Sequence, residues 1–265
     1  MRRGIAVLLC LISLVLVSSI VPVRANGSVV IYSGWTDTPP TIDGVLETGE
    51  WDDAAMQAFT LLDWLGNPTT ITGTVYMMND ATNLYIAIEV SEDDSDTSDR
   101  MTVFFDNNND GTLDDDEDAL LHSSWFYDMH WDGEEDQWLE DNPHGASGAK
   151  RVGSDWVFEF RHPLCSGDPF GEDFCLNLGD VVGFNLGFQN WVAPSWPWYQ
   201  WPSINTHEDP IDDWGDIIIA QRPEKPSPIG GDVFSVDKLA ILLPYLLVVL
   251  VFLTATSILI KKRNH

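Results

Sequence analysis

Leu84-Tyr85-Ile86-Ala87-Ile88-Glu89-Val90 sets a large aliphatic residue at every second position. A period of two is the pattern of a β-strand laid on a core, because successive side chains leave a strand on opposite faces. The turn signal Asn79-Asp80 stands just before it. Working outward, residues 28–32, 70–77, 101–105, 156–160, 181–188 and 217–220 are equally short and rich in Val, Ile, Phe and Tyr, with further turn signals such as Gly179-Asp180 between them. No amphipathic helix of ordinary length interrupts the series. Many short strands at regular spacing predict an all-β domain, an antiparallel β-sandwich or jelly roll.

A second stretch, Pro40-Thr41-Ile42-Asp43-Gly44, is followed by Glu50-Trp51 and Ala54-Ala55. Pro40 and Gly44 punctuate a turn in which Asp43 can bond its own backbone, and Trp51, Ala54 and Ala55 share the spacing of a short helical turn. Further blocks follow in order: Asn79-Asp80-Ala81 with Asn83 to Ala87, the strand ending in Phe104-Phe105-Asp106, Trp156-Val157-Phe158-Glu159-Phe160 with Pro163-Leu164, then Gly183-Phe184-Asn185-Leu186 and Trp214-Gly215-Asp216-Ile217. Together they resemble the family 9 carbohydrate-binding modules and their relatives, over residues 40–220. The resemblance implies a β-sandwich with Trp51 laid upon it. The superfamily is broad and includes haem- or sugar-binding domains, those named after dopamine β-monooxygenase and the haem-binding subunit of ethylbenzene dehydrogenase. Family sugar sites use a pair of facing aromatics.

Asp106-x-Asn108-x-Asp110-Gly111-Thr112-x-Asp114-x-x-Glu117 fills each ligand position of a twelve-residue calcium loop. A hard cation takes oxygen ligands from alternate residues, a Gly at the sixth position for the turn and a bidentate carboxylate at the twelfth. A structural Ca2+ is expected there, clamping a loop that repulsion would otherwise splay; the rival reading is a solvated acidic turn. Asp93, Asp94, Asp96 and Asp99 obey no spacing rule and read as a solvated face. Cys165 and Cys175 flank a loop bearing Gly and Pro, and a disulfide is expected between them once Cys10 leaves with the leader.

Trp191, Trp196, Trp198, Tyr199 and Trp201 are interleaved with Pro194, Pro197 and Pro202. Stiff, exposed aromatic faces suit stacking on the apolar face of a sugar ring, so these five are the candidate carbohydrate-binding residues. Trp125, Trp131 and Trp138 form a second group. For any single Trp, a place in the core is the alternative. A haem reading would draw axial ligands from Met77, Met78, Met129 and His130. The other histidines are scattered, and neither a zinc-binding His-Glu-x-x-His, a nucleophile elbow nor a phosphate loop occurs. A non-catalytic protein is expected.

The ends set the expected location. Arg2-Arg3, an apolar run from Gly4 to Val23 and the close Val23-Arg24-Ala25 read as a signal peptide over residues 1–25. The domain is expected over 26–222 and a Pro/Gly stalk over 223–238. A 22-residue apolar run begins at Leu239 and ends at Ile260, long enough as a helix (~33 Å) to cross a bilayer. Lys261, Lys262 and Arg263 follow it, placing the 261–265 tail in the cytoplasm and the domain outside the cell membrane. Residues 26–237 hold 42 acidic and 6 basic residues, a net charge of −36. Nucleic acid is excluded as a partner, since phosphate contacts need Lys and Arg. The expected function is non-catalytic glycan or polysaccharide binding at the cell surface; a haem-binding electron-transfer domain and a structural envelope or adhesion protein are the alternatives.

Overall fold

The computed structural model describes residues 29–92, 98–191, 196–208 and 210–224. The expected leader, span and tail, and nearly all of the stalk, lie outside these residues, as do Asp93, Asp94 and Asp96. Among the described residues no helix is long and apolar enough to cross a membrane.

The described chain is all-β. Its strands are β1 Val30–Tyr32, β2 Gly34–Trp35, β3 Ala55–Leu62, β4 Pro68–Asn79, β5 Asn83–Ser91, β6 Arg100–Asp106 and β7 Asp118–His122, then β8 Phe126–Asp132, β9 Gln137–Glu140, β10 Ala146–Val152, β11 Asp155–Pro163, β12 Val181–Gln189, β13 Trp198–Trp201 and β14 Gly215–Ile218. Hydrogen bonding runs in the order β10-β11-β5-β4-β3-β13-β12-β6-β7-β8-β9. Between β3 and β13 the pairing thins to one bridge, Gln200 with Leu62, and there the sheet folds over into two layers. Leu84, Ile86, Ile88 and Val90 of β5 and Phe158 and Phe160 of β11 then meet Val103 and Phe105 of β6 and Phe184, Leu186 and Phe188 of β12 in one buried core.

Pairing is antiparallel except at the two short N-terminal strands, where β1 runs parallel to β14 and β2 parallel to the end of β4. A single residue, Ser33, separates these two strands as the chain passes from one layer to the other. Its N–H donates to the Ile218 carbonyl (3.0 Å), and its hydroxyl and Asn79 Oδ1 both accept from the Ala220 N–H.

The even positions of β5 face the core as expected, but its other face is also covered. Tyr85 and Ala87 are buried with Trp51 and Met78, under Ile42 and Leu46. The short helical turn expected at Trp51, Ala54 and Ala55 is instead a run of turns that enters β3 at Ala55. Glu159, fully buried on β11, latches this cover: one carboxylate oxygen accepts the backbone N–H of Asp43 (2.8 Å) and Gly44 (2.7 Å), and the other accepts Trp51 Nε1–H (3.0 Å). Gly44 sits at φ 80°, and a Cβ there would lie 2.4 Å from the Ala149 carbonyl carbon. The Ile42-Asp43-Gly44 turn can therefore cross β10 only in backbone contact.

Cys165 and Cys175 form the expected disulfide, closing the loop between β11 and β12.

Candidate functional site

Strand alternation divides the Trp/Pro-rich segment between two faces. Tyr199 and Trp201 point into the main core, where Trp201 stacks on Phe59 with centroids 5.3 Å apart and is only 9 % exposed. Trp201 is thus a core residue, whereas the half-buried Tyr199 packs against the core and also lines the cavity shared by Trp198 and Trp64. Trp198 points to the outer face of β12 and β6. Trp196, 53 % exposed, stacks on Trp191 at 4.6 Å and 19°, and the Arg100 guanidinium lies 4.8 Å from the Trp191 ring centre.

Arg100, Thr102, Gln189, Trp138, Trp198 and His207 border a cleft of about 150 Å3 on that outer face, floored by Phe104 and Met129. Gly187 makes it possible: a Cβ there would meet the Trp198 ring at 2.3 Å and Phe104 at 2.9 Å. Trp138 donates its Nε1–H to the Thr206 carbonyl (3.2 Å), and Thr206 Oγ1 pairs with His207 Nδ1 (2.8 Å). The buried Asn185 amide holds the flanking loop by donating to the carbonyls of Ser203 (3.0 Å) and Asn205 (3.2 Å). His207 keeps one edge exposed, but desolvation where it packs beside Trp131 lowers its pKa below the ordinary imidazole value. Trp198 Nε1 is buried without a hydrogen-bond partner. A buried donor left unpaired costs free energy that a ligand oxygen can recover.

Trp198 also borders a larger cavity of about 400 Å3, whose far wall is Trp64 in the β3–β4 turn. Trp64 is 79 % exposed. Asp63 fixes that turn by accepting the backbone N–H of Leu65 (2.9 Å) and Asn67 (2.8 Å). Trp64 is not among the aromatics singled out from the sequence; its signal is a Trp between the turn-forming residues Asp63 and Gly66, outside any alternating run. Of the second aromatic group, Trp131 and Trp138 pack with Phe104, while Trp125 is exposed. Met77 and Met78 are buried in separate clusters, and Met129 lines the cleft while the next residue, His130, does not, so the candidate haem ligands are not brought together.

The Asp106–Glu117 loop joins β6 to β7. Asp106 Oδ2 accepts the Gly111 N–H (3.0 Å), Asn108 Oδ1 accepts the Asp110 N–H (2.9 Å), Asp110 Oδ1 accepts the Thr112 N–H (2.9 Å), and Glu117 accepts the Asn107 N–H. Burial, augmented by Asp106, Asp114 and Asp110, pushes Glu117 up to about 9; burial pushes Asp106 up to about 6. No three of the loop's carboxylates close to within 4.8 Å of one another. Gly111 takes the left-handed φ of 82° that the sixth position demands, and its carbonyl accepts the Ile211 N–H (2.9 Å). Through Ile211 and Trp214, which donates to the Asn205 carbonyl (2.6 Å), the loop braces the wall of the cleft. Asp99, expected on a solvated face, is instead buried, accepting Trp156 Nε1–H (2.7 Å) and the Trp191 N–H (2.7 Å).

The profile of the carbohydrate family 9 binding domain-like family matches residues 42–191, more than half of the chain. The chain belongs to that family. No curated protein matches it. Among solved structures, a family 9 carbohydrate-binding module from Caldicellulosiruptor kristjanssonii in complex with glucose is 15 % identical, covers 75 % of this chain and 100 % of its own, and has a TM-score of 0.51. A putative carbohydrate-binding protein from Bacteroides uniformis is 10 % identical, covers 73 % of this chain and 99 % of its own, with a TM-score of 0.52. At these identities the likeness is one of fold.

The family match spans the Gly44–Trp51–Glu159 latch and the β6, β8, β9 and β12 sides of the cleft. It stops at Trp191, so Trp196, Trp198 and His207 lie beyond it. The profile match thus takes in the platform, and the likeness to the glucose-bound module, which covers 75 % of this chain, extends beyond it.

Proposed function

We propose that this domain binds a carbohydrate without turning it over, and that the ligand enters the cleft between Trp198 and Trp138. The observation that carries this reading is the cleft itself: two Trp walls, Arg100 and Gln189 at its border, and an unpartnered Trp198 Nε1–H. Sugar rings present apolar C–H faces and a rim of hydroxyls, the chemistry that flat aromatics and a few fixed polar groups recognise. Family membership and the shared fold of a glucose-bound family 9 module support the same class of ligand. Trp191 and Trp196 extend the aromatic surface beside Arg100, and Trp64 supplies a facing ring across the second cavity. Ca2+ in the Asp106–Glu117 loop would act structurally, holding the Ile211–Trp214 wall.

Titration of the protein with a panel of soluble oligosaccharides that includes glucose and cellotriose tests the site. Trp198→Ala should weaken binding at least ~10-fold, the loss of one ring's stacking and one hydrogen bond. Trp201→Ala should instead cost ~3–5 kcal/mol of stability, as for a buried aromatic. Equal binding by wild type and Trp198→Ala would place the sugar elsewhere.

The leader and the 239–260 run support display of the domain on the outside of a single-pass membrane anchor. Protease added to intact cells should then release the domain by cutting between Pro223 and Gly231; release only after lysis contradicts that topology.

A further inference from the structure

One end of the sandwich gathers ionisable side chains that the cleft and the calcium loop do not use. Asp118 opens β7, Asp128 lies on β8, His162 is near the end of β11 and Asp173 is in the disulfide loop. Asp118 shares its strand face with the core residue Leu120, and His162 shares its face with Phe160, so the two layers contribute to one point. Asp118, Asp128 and His162 are each at most 1 % exposed. Neither oxygen of Asp118, neither ring nitrogen of His162, nor Asp128 Oδ1 makes a hydrogen bond of normal geometry. The Phe174 N–H eases the burial of Asp118 only in part. No Lys or Arg among the described residues is ion-paired with any of them.

The spacing is informative. His162 Nε2 lies 3.7 Å from Asp173 Oδ2 and 3.9 Å from Asp118 Oδ2, too far for hydrogen bonds but suited to ligands sharing one ion. His144 Nδ1 approaches the same Asp173 Oδ2 at 2.9 Å without hydrogen-bond alignment, and the His144 backbone N–H donates to Asp128 Oδ2 at 2.6 Å. Ligand atoms of Asp118, His162 and Asp173 fall within 4.8 Å of one another, and so do those of Asp128, His144 and Asp173. Buried charges persist where they are paired or hold a metal. Imidazole with carboxylate selects zinc and its neighbours, whereas calcium takes oxygen ligands alone.

We propose that Asp118, His162 and Asp173 bind a divalent transition metal of the zinc class, with Asp128 and His144 closing the site around Asp173. The ion ties the β7–β8 side of one layer to β11 of the other and to the Cys165–Cys175 loop. It is a different site from the Asp106–Glu117 loop in both ligands and metal.

The test uses the purified full chain in excess calcium, so that the oxygen-only loop is occupied. One equivalent of Zn(II) should remain after gel filtration, and Co(II) should give visible d–d bands that Zn(II) discharges. His162→Gln and Asp173→Asn should each weaken Co(II) binding by more than about tenfold, while Asp110→Asn, in the oxygen-only loop, leaves it unchanged. Asp173 lies in a loop, so its Asn variant carries the test if His162→Gln fails to fold. The proposal is overturned if a chain with native near-ultraviolet dichroism retains neither metal, or if tight binding survives the Asp173 substitution.

Discussion

At the scale of single residues, the decisive contrasts lie between neighbours. Trp198 and Trp201 are three positions apart on β13, yet one borders the cleft and the other stacks on Phe59 in the core. Composition alone cannot separate them, because the segment is aromatic on both sides; the register of β13 against β12 can. His207 carries the pH dependence of the cleft. Desolvation lowers its pKa, so the unfolded chain takes up a proton first as pH falls below the ordinary imidazole value of ~6.5. Above that pH the group is indifferent to stability. Below it the folded state loses ground until the pH has passed the lowered value as well. His207→Gln removes this term, so its melting temperature should rise relative to wild type between pH ~7 and ~5. A pH-independent difference between the two proteins would show that the ring is not held neutral.

At the scale of elements, short runs rich in Val, Ile, Phe and Tyr, several of them alternating, marked seven strands in the sequence, and all seven lie within or overlap strands of the fold. Of those left unmarked, β2, β7, β9 and β13 are short and β10 is polar, while β3 and β8 are longer but mix apolar with polar or charged residues. Ala146–Val152 reads Ala-Ser-Gly-Ala-Lys-Arg-Val and carries no apolar period, because the backbone of the Asp43–Gly44 turn lies against Gly148 and Ala149 and only Ala149 packs on the main core. Glu159 was legible only through the family pattern, since its partners lie 108 to 116 residues away. The His/Asp cluster was illegible for the same reason, its five members coming from three strands and two loops. The Asp106–Glu117 loop is the opposite case, a local motif read directly from spacing. If it binds Ca2+, a chelator should lower the melting temperature, since a ligand bound only by the folded state stabilises it by mass action. Glu117→Gln should reproduce the chelator's effect and abolish the response to calcium. Melting curves identical with calcium and with chelator, at matched ionic strength, would return the loop to a solvated turn.

At the scale of the whole molecule, the domain must fold against its own charge. Forty-two acidic and 6 basic residues between 26 and 237 leave a net charge of −36. Buried Arg151 serves Glu92 (3.1 Å) and Asp99 (3.6 Å), so it relieves little of the surface field. Compaction brings like charges together, and this repulsion is screened over a Debye length that shrinks from ~30 Å at 0.01 M salt to ~8 Å at 0.15 M. With calcium held in saturating excess, raising ionic strength across that interval should therefore raise the melting temperature, with a smaller further gain by 1 M, where the length is only ~3 Å. Screening is indifferent to the cation, so sodium, potassium and choline chlorides should give the same curve. A rise with one cation alone would mean that acidic side chains bind that ion at a defined site. A melting temperature flat in all three salts would mean that the carboxylates stand far enough apart, or shift their protons enough, that repulsion does not limit the fold.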